Sequence, residues 1–103
     1  MRDPSNTRHL AEQAVRILVT NEDEIKHRLL TAYTQRFSYV FPDDVPESVR
    51  ALVQSVHQRL TKEPTYPGQS TAEAALYRMR RKTAAAIAED ILEIQRVLSI
   101  TGS

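Results

Sequence analysis

The chain has 103 residues, of which 41% are hydrophobic and 26% are charged, and its formal net charge is +1. This length predicts a single domain over residues 1–103, and the composition excludes a disordered or fibrous protein. The lack of cysteine excludes disulfides and thiolate metal sites and favours the cytoplasm. We expect no secretory signal, and no stretch has the roughly 18 apolar residues that a membrane span needs.

The first part of the chain predicts two helices. Apolar residues recur at helical spacing over about residues 7–19, with charged residues on the opposite face. A second helix is predicted over about residues 22–38. Asn21 and Glu24 have the spacing of a capping box, which places the start of this helix beside them.

An aromatic cluster follows at the end of the second helix. Four of the six aromatic residues lie within nine positions, namely Tyr33, Phe37, Tyr39 and Phe41. Pro42 disfavours helical geometry at the preceding residue and so predicts a corner. The rings either plug this corner, which is the favoured interpretation, or line a groove for a peptide or small molecule.

The third predicted helix covers about residues 45–61 and has the clearest amphipathic pattern. Asp44 and Glu47 resemble a second capping box at its start. His57 borders the apolar face, so we expect a half-buried structural histidine. Residues 62–69 contain two prolines and a glycine and predict a surface loop.

The last helix is predicted over about residues 71–99, a stretch rich in alanine without proline or glycine. Ser70 and Glu73 form a third capping-box pattern. One straight helix would measure ~42 Å, longer than the roughly 35 Å diameter expected for a compact domain. We therefore expect an all-α fold, a four-helix, mostly antiparallel bundle whose long C-terminal helix overhangs and forms a homodimer. A kink near Thr83 that folds the distal half back is the alternative.

The predicted self-association surface combines the apolar stripe of this helix with three polar residues expected to point inward. Its members are Leu76, Met79, Arg80, Thr83, Ile87, Asp90, Ile91 and Ile94. Because a buried charge is costly unless paired, we expect Arg80 and Asp90 to meet partners across the bundle or the dimer interface. An internal pocket in which Arg80 binds a small anion is the alternative interpretation.

A basic cluster in the same helix indicates a second function. Arg78, Arg81 and Lys82 are expected on one outer face, where they can contact phosphates of a nucleic acid. The preceding loop is longer than the turn of a helix-turn-helix, however. A solvated charged face is therefore the favoured interpretation of this cluster.

Little in the sequence indicates catalysis. There is no cysteine and no glycine-flanked serine, and Glu24 with His27 gives only one copy of a metal-binding spacing that di-iron bundles use twice. We expect no enzyme, no cofactor and no metal. The leading expectation is a non-enzymatic protein-interaction module that binds a second copy and an unidentified protein partner. The alternatives are a small nucleic-acid-associated regulator and a ligand-binding bundle.

Overall fold

The computed structural model describes residues 4–20, 22–61 and 71–101. The described part is mostly helical and contains no strand, which confirms the all-α prediction. Its α-helices are α1 (Pro4–Thr20), α2 (Ile25–Gln35), α3 (Glu47–Thr61), α4 (Thr71–Arg78) and α5 (Arg81–Thr101), and two 3₁₀ turns lie at Phe37–Tyr39 and Pro42–Asp44. None of these helices combines the length and the apolar character that crossing a bilayer requires.

The observed helix ends differ from the predicted ones. Helix α1 begins at Pro4, three residues early, because proline fits the first helical position, where no amide donor is needed. Helix α2 begins later than predicted, and Glu24 is its N-cap residue with no side-chain cap hydrogen bond. The capping box predicted from Asn21 therefore does not describe this end, and Asn21 itself lies outside the described residues, as do Ser70 and the predicted loop 62–69.

The predicted long last helix is wrong, because the chain leaves helical geometry at Met79 and Arg80 and resumes it at Arg81. The buried residues of the two pieces explain the break. Helix α4 buries Ala72, Ala74, Ala75 and Leu76, and helix α5 buries Ala84, Ile87, Ala88, Ile91, Ile94 and Leu98. At 3.6 residues per turn, Leu76 would fall nearly in line with Ile87 and Ile94 on one straight helix, but the alanines of the two pieces would point in different directions. A single continuous helix would therefore spread these buried residues over more than half of its circumference.

Helix α5 lies at the centre of the packing, since it contacts α1, α2 and α3, while α4 packs against α2 and α3. The chain measures 39 × 27 × 20 Å, and the 21 residues of α5 extend ~32 Å. Helix α5 has buried residues from Ala84 to Leu98, over most of its length, so the predicted overhang is wrong. The distal half folds back onto the first three helices, as the kinked alternative required, and the mostly antiparallel order stays a prediction.

Replacing Ile91 by glutamate tests whether the α5 stripe belongs to the monomer core. The side chain of Ile91 is fully buried, so the lost apolar contacts and the uncompensated carboxylate cost on the order of 4 kcal/mol. That is a large share of the roughly 5–15 kcal/mol by which a domain is stable. We expect Ile91→Glu to lose most of its helical circular dichroism and its cooperative urea transition.

The matched control is Leu92→Glu, the same substitution at the next position of α5, where the side chain is 36% exposed. We expect this variant to fold with nearly unchanged stability. Folded, monomeric Ile91→Glu beside a dimeric parent protein would contradict the assignment of Ile91 to the chain's own core.

Candidate functional site

The apolar members of the predicted self-association surface lie inside the core. Leu76 is 3% exposed, and Ile87, Ile91 and Ile94 are fully buried among residues of the same chain. They cannot meet a second copy unless the core opens, so their assignment to an interface is wrong. The homodimer itself stays a prediction that needs a different surface.

The polar members of that surface do not share one environment. Asp90 accepts a short hydrogen bond from Arg59 Nη2, an ion pair between α5 and α3 that agrees with the expected partner across the bundle. Arg80 and Thr83 are exposed, and Met79 is half-buried. The inward orientation predicted for Arg80 and Thr83 is wrong, because the break rotates the first turn of α5 relative to α4. An internal anion pocket at Arg80 is ruled out by the same geometry.

The basic cluster is divided by the same break. Arg78 is the last residue of α4, whereas Arg81 and Lys82 begin α5. Arg81 Nε donates to Glu24 Oε1 across 2.7 Å, so this guanidinium is directed toward the start of α2. The prediction that the three side chains share one outer face of a continuous helix is therefore wrong.

The aromatic cluster is divided between the core and the surface. Tyr33 and Phe37 are buried and lie with their ring centroids 6.5 Å apart, so they plug the corner. Tyr39 is 54% exposed and Phe41 is 38% exposed. Of the four rings, Phe41 alone lines a groove beside the corner, and ligand binding there stays a prediction.

His57 connects α3 to this corner. Its Nε2 lies 2.6 Å from the carbonyl oxygen of Val40, and its Nδ1 lies 2.7 Å from the hydroxyl oxygen of Tyr33. Because a carbonyl oxygen only accepts hydrogen bonds, Nε2 must carry the proton. Nδ1 of the neutral ring then accepts a hydrogen bond from the Tyr33 hydroxyl. His57 is half-buried, as expected, and both ring nitrogens are engaged.

Arg50 supports the same corner and was not predicted to do so. The amphipathic pattern of α3 predicts Arg50 on the solvent face, but its Nε donates to the carbonyl oxygen of Pro42 over 3.0 Å and its Nη2 to that of Val45 over 3.2 Å. These bonds satisfy backbone carbonyls of the turn that leads into α3. An arginine one helical turn after a proline-containing corner was the available signal.

Next to the corner lies a groove of about 410 Å³, which we call the corner groove. It is lined by Ser38, Phe41, Pro42, Gln54, His57 and Gln58. No carboxylate, lysine or arginine lines it, and the two glutamines lie one turn apart on α3. The corner groove can therefore bind an uncharged group that offers both apolar surface and hydrogen-bonding atoms.

The described residues do not suggest a metal site, since no group of three or more histidine, aspartate or glutamate side chains comes together among them. Glu24 accepts a hydrogen bond from Arg81, and His27 Nε2 lies 3.7 Å from a carboxylate oxygen of Asp23. These contacts engage both members of the Glu-x-x-His spacing in surface pairs.

Tyr33→Phe tests the hydrogen bond that holds His57. Removing the hydroxyl leaves Nδ1 of a half-buried ring without its donor, which we expect to lower the free energy of unfolding by about 1–2 kcal/mol. Tyr39→Phe is the matched control, because Tyr39 is exposed. Urea unfolding of both variants at neutral pH checks this, and equal stabilities would contradict a structural role for the Tyr33 hydroxyl.

The pH dependence of this difference follows from the burial of Tyr33, which raises the pKa of its hydroxyl above the ordinary value of 10.0. The unfolded chain therefore releases this proton at lower pH than the folded chain does. Below the ordinary pKa the contribution of the hydroxyl is fully present, and it is lost as the pH rises through the raised value. We expect the stability difference between the parent protein and Tyr33→Phe to shrink above pH ~10, measured by urea unfolding at several pH values.

Comparison with known proteins assigns no function. No protein-family model, no curated protein and no solved structure matches this chain. Function is therefore argued from the geometry and chemistry of the described residues.

Proposed function

We propose that this chain is a non-enzymatic protein-interaction module and that the corner groove is its peptide-binding surface. The observation that carries the proposal is an exposed apolar wall, formed by Phe41 and Pro42, beside a firmly held corner. An exposed aromatic ring at the rim of a concave surface is the kind of feature from which binding energy is drawn.

The base of the groove supports binding because it is organised before any ligand arrives. His57 joins α3 to the chain at Val40, and Arg50 joins α3 to Pro42. A surface held by such bonds loses little conformational freedom when a partner binds. Affinity is then limited mainly by the fit of the partner.

The same hydrogen bonds favour binding over catalysis. A general base must present a free nitrogen to the proton that it removes. His57 uses Nδ1 for the Tyr33 hydroxyl and Nε2 for the Val40 carbonyl. Its ring therefore supports the groove and offers no lone pair to a substrate.

The side chains that line the corner groove indicate which kind of ligand it binds. Gln54 and Gln58 each carry an amide that donates and accepts, which suits the backbone of a peptide. The groove volume of about 410 Å³ suits one or two side chains of a peptide, with an apolar one against Phe41. We therefore propose an uncharged peptide segment of another protein that presents one aliphatic or aromatic side chain.

Phe41→Ala tests this proposal. Random peptides are displayed and selected on the parent protein, and the affinity of each enriched peptide is then measured by fluorescence anisotropy. Truncating a binding aromatic side chain costs about 2 kcal/mol, so we expect roughly thirtyfold weaker binding. Tyr39→Ala is the matched control, because Tyr39 is an exposed ring of the same corner that does not line the groove; its binding should change less than threefold.

Two results would contradict the proposal. One is that no peptide is enriched on the parent protein relative to Phe41→Ala. The other is that Phe41→Ala and Tyr39→Ala weaken binding equally, which would place the peptide outside the groove. Light scattering identifies a further contrary case: a dimer that Phe41→Ala dissociates would make a second copy, not a different protein, the occupant of the groove.

A further inference from the structure

The break between α4 and α5 forms a second concave surface, which we call the junction cleft. Its volume is about 460 Å³, and it is lined by Arg59, Ala75, Arg78, Met79, Arg80 and Thr83. Three of these six residues are arginines, drawn from α3, from the end of α4 and from the break itself. No carboxylate is among the lining residues.

We propose that the junction cleft binds the terminal phosphate of a small molecule, a phosphomonoester dianion. Guanidinium groups present several donors in a fixed plane that matches the oxygens of phosphate. A terminal phosphate carries nearly two negative charges at neutral pH and three equivalent acceptor oxygens. Three converging arginines match this charge and this number of acceptors better than they match a single carboxylate.

Two of the three arginines, Arg80 and Arg59, have donors available for a ligand. The carbonyl oxygen of Arg80 accepts a hydrogen bond from the Ala84 N–H, but its guanidinium pairs with no side chain or backbone group in the described part of the chain, and it is exposed at the cleft. Arg59 uses Nη2 for Asp90 and Nε for the carbonyl oxygen of Ser55, which leaves Nη1 without a partner in the described part of the chain. The Asp90 contact therefore fixes the position of the Arg59 guanidinium while one of its nitrogens stays free to donate.

Thr83 adds uncharged donors to the arginines. It lies in the first turn of α5, where backbone N–H groups have no carbonyl acceptor within the helix. Its hydroxyl also lines the cleft. The proposal rests on the arginines, and the backbone N–H groups at the start of α5 add further hydrogen-bond donors.

The arrangement favours a single phosphate over the backbone of a nucleic acid. A duplex is gripped by a row of cations that follows successive phosphates. Here Arg81 is directed away to Glu24, and Lys82 does not line the cleft. The net charge of +1 is also small for a nucleic-acid-binding domain. The cleft therefore presents a compact group of three arginines and no extended row of cations.

The test uses the intact protein with ribose 5-phosphate as the probe, followed by NMR of the backbone amides and the arginine side chains. We expect saturable shifts at residues 79–83 and at the Arg59 side chain, and none with ribose alone. Arg80→Gln should weaken binding about tenfold. Lys82→Gln is the matched control, since it removes the same charge two residues away on a side chain outside the cleft, and it should weaken binding less than twofold.

Equal weakening by Arg80→Gln and Lys82→Gln would overturn the proposal, because it would show attraction to general positive charge. Shifts outside the junction cleft, or none, would also overturn it. Tighter binding of a duplex oligonucleotide than of ribose 5-phosphate, with shifts at Arg81 and Lys82, would replace it by nucleic-acid binding. Unchanged melting temperatures of both variants would show that any loss of binding comes from the cleft and not from unfolding. Arg59 is not substituted, because its removal would leave Asp90 unpaired.

Discussion

The apolar residues of the last third of the chain must leave water, and they form two stripes that do not line up on a straight helix. Ala72 and Ala75 set the direction of the first stripe, and Ala84 and Ala88 set that of the second, whereas Leu76 and Ile94 would share one line. Ending one helix at Arg78 and starting another at Arg81 leaves few backbone hydrogen bonds unmade and lets both stripes face the same core. The apolar area gained outweighs that loss, since each fully buried aliphatic side chain contributes about 1.5–3 kcal/mol.

The surface of the molecule follows from this arrangement. Because α5 packs against α1, α2 and α3, the apolar residues of its stripe are used within the chain. The break exposes Arg80 and Thr83 beside Arg59 and so forms a cleft for an anion. Two residues before Arg59 on α3, His57 holds the aromatic corner, where Phe41 stays at the surface. The two proposed sites therefore differ in ligand chemistry: one is basic and the other has no charged lining.

The sequence predicted the helical class and the approximate extents of α1 and α3, because their apolar residues recur at helical spacing on one face and polar residues occupy the opposite face. The sequence pattern did not predict the break in the last helix, because an alanine can lie on either the buried or the exposed face of a helix. Ala85 and Ala86 are exposed, whereas Ala84 and Ala88 are buried, and the buried pair carries the shift in phase. The aromatic cluster was visible, but its division into core and surface members was not, since Phe37 and Tyr39 lie in a 3₁₀ turn whose geometry differs from that of the α-helix before it. The junction cleft depends on Arg59, which is distant in sequence from the other arginines.

The central claim is that the α5 stripe is buried by its own chain, and nuclear Overhauser contacts of the isoleucine methyl groups test it most directly. Uniformly labelled protein should show contacts from Ile87, Ile91 and Ile94 to side chains of α1, α2 and α3. In an equal mixture of labelled and unlabelled protein, filtered to detect contacts between molecules only, we expect none from these methyl groups. Intermolecular contacts from the same methyl groups in the filtered experiment would contradict the account and restore the stripe as the interface of a dimer.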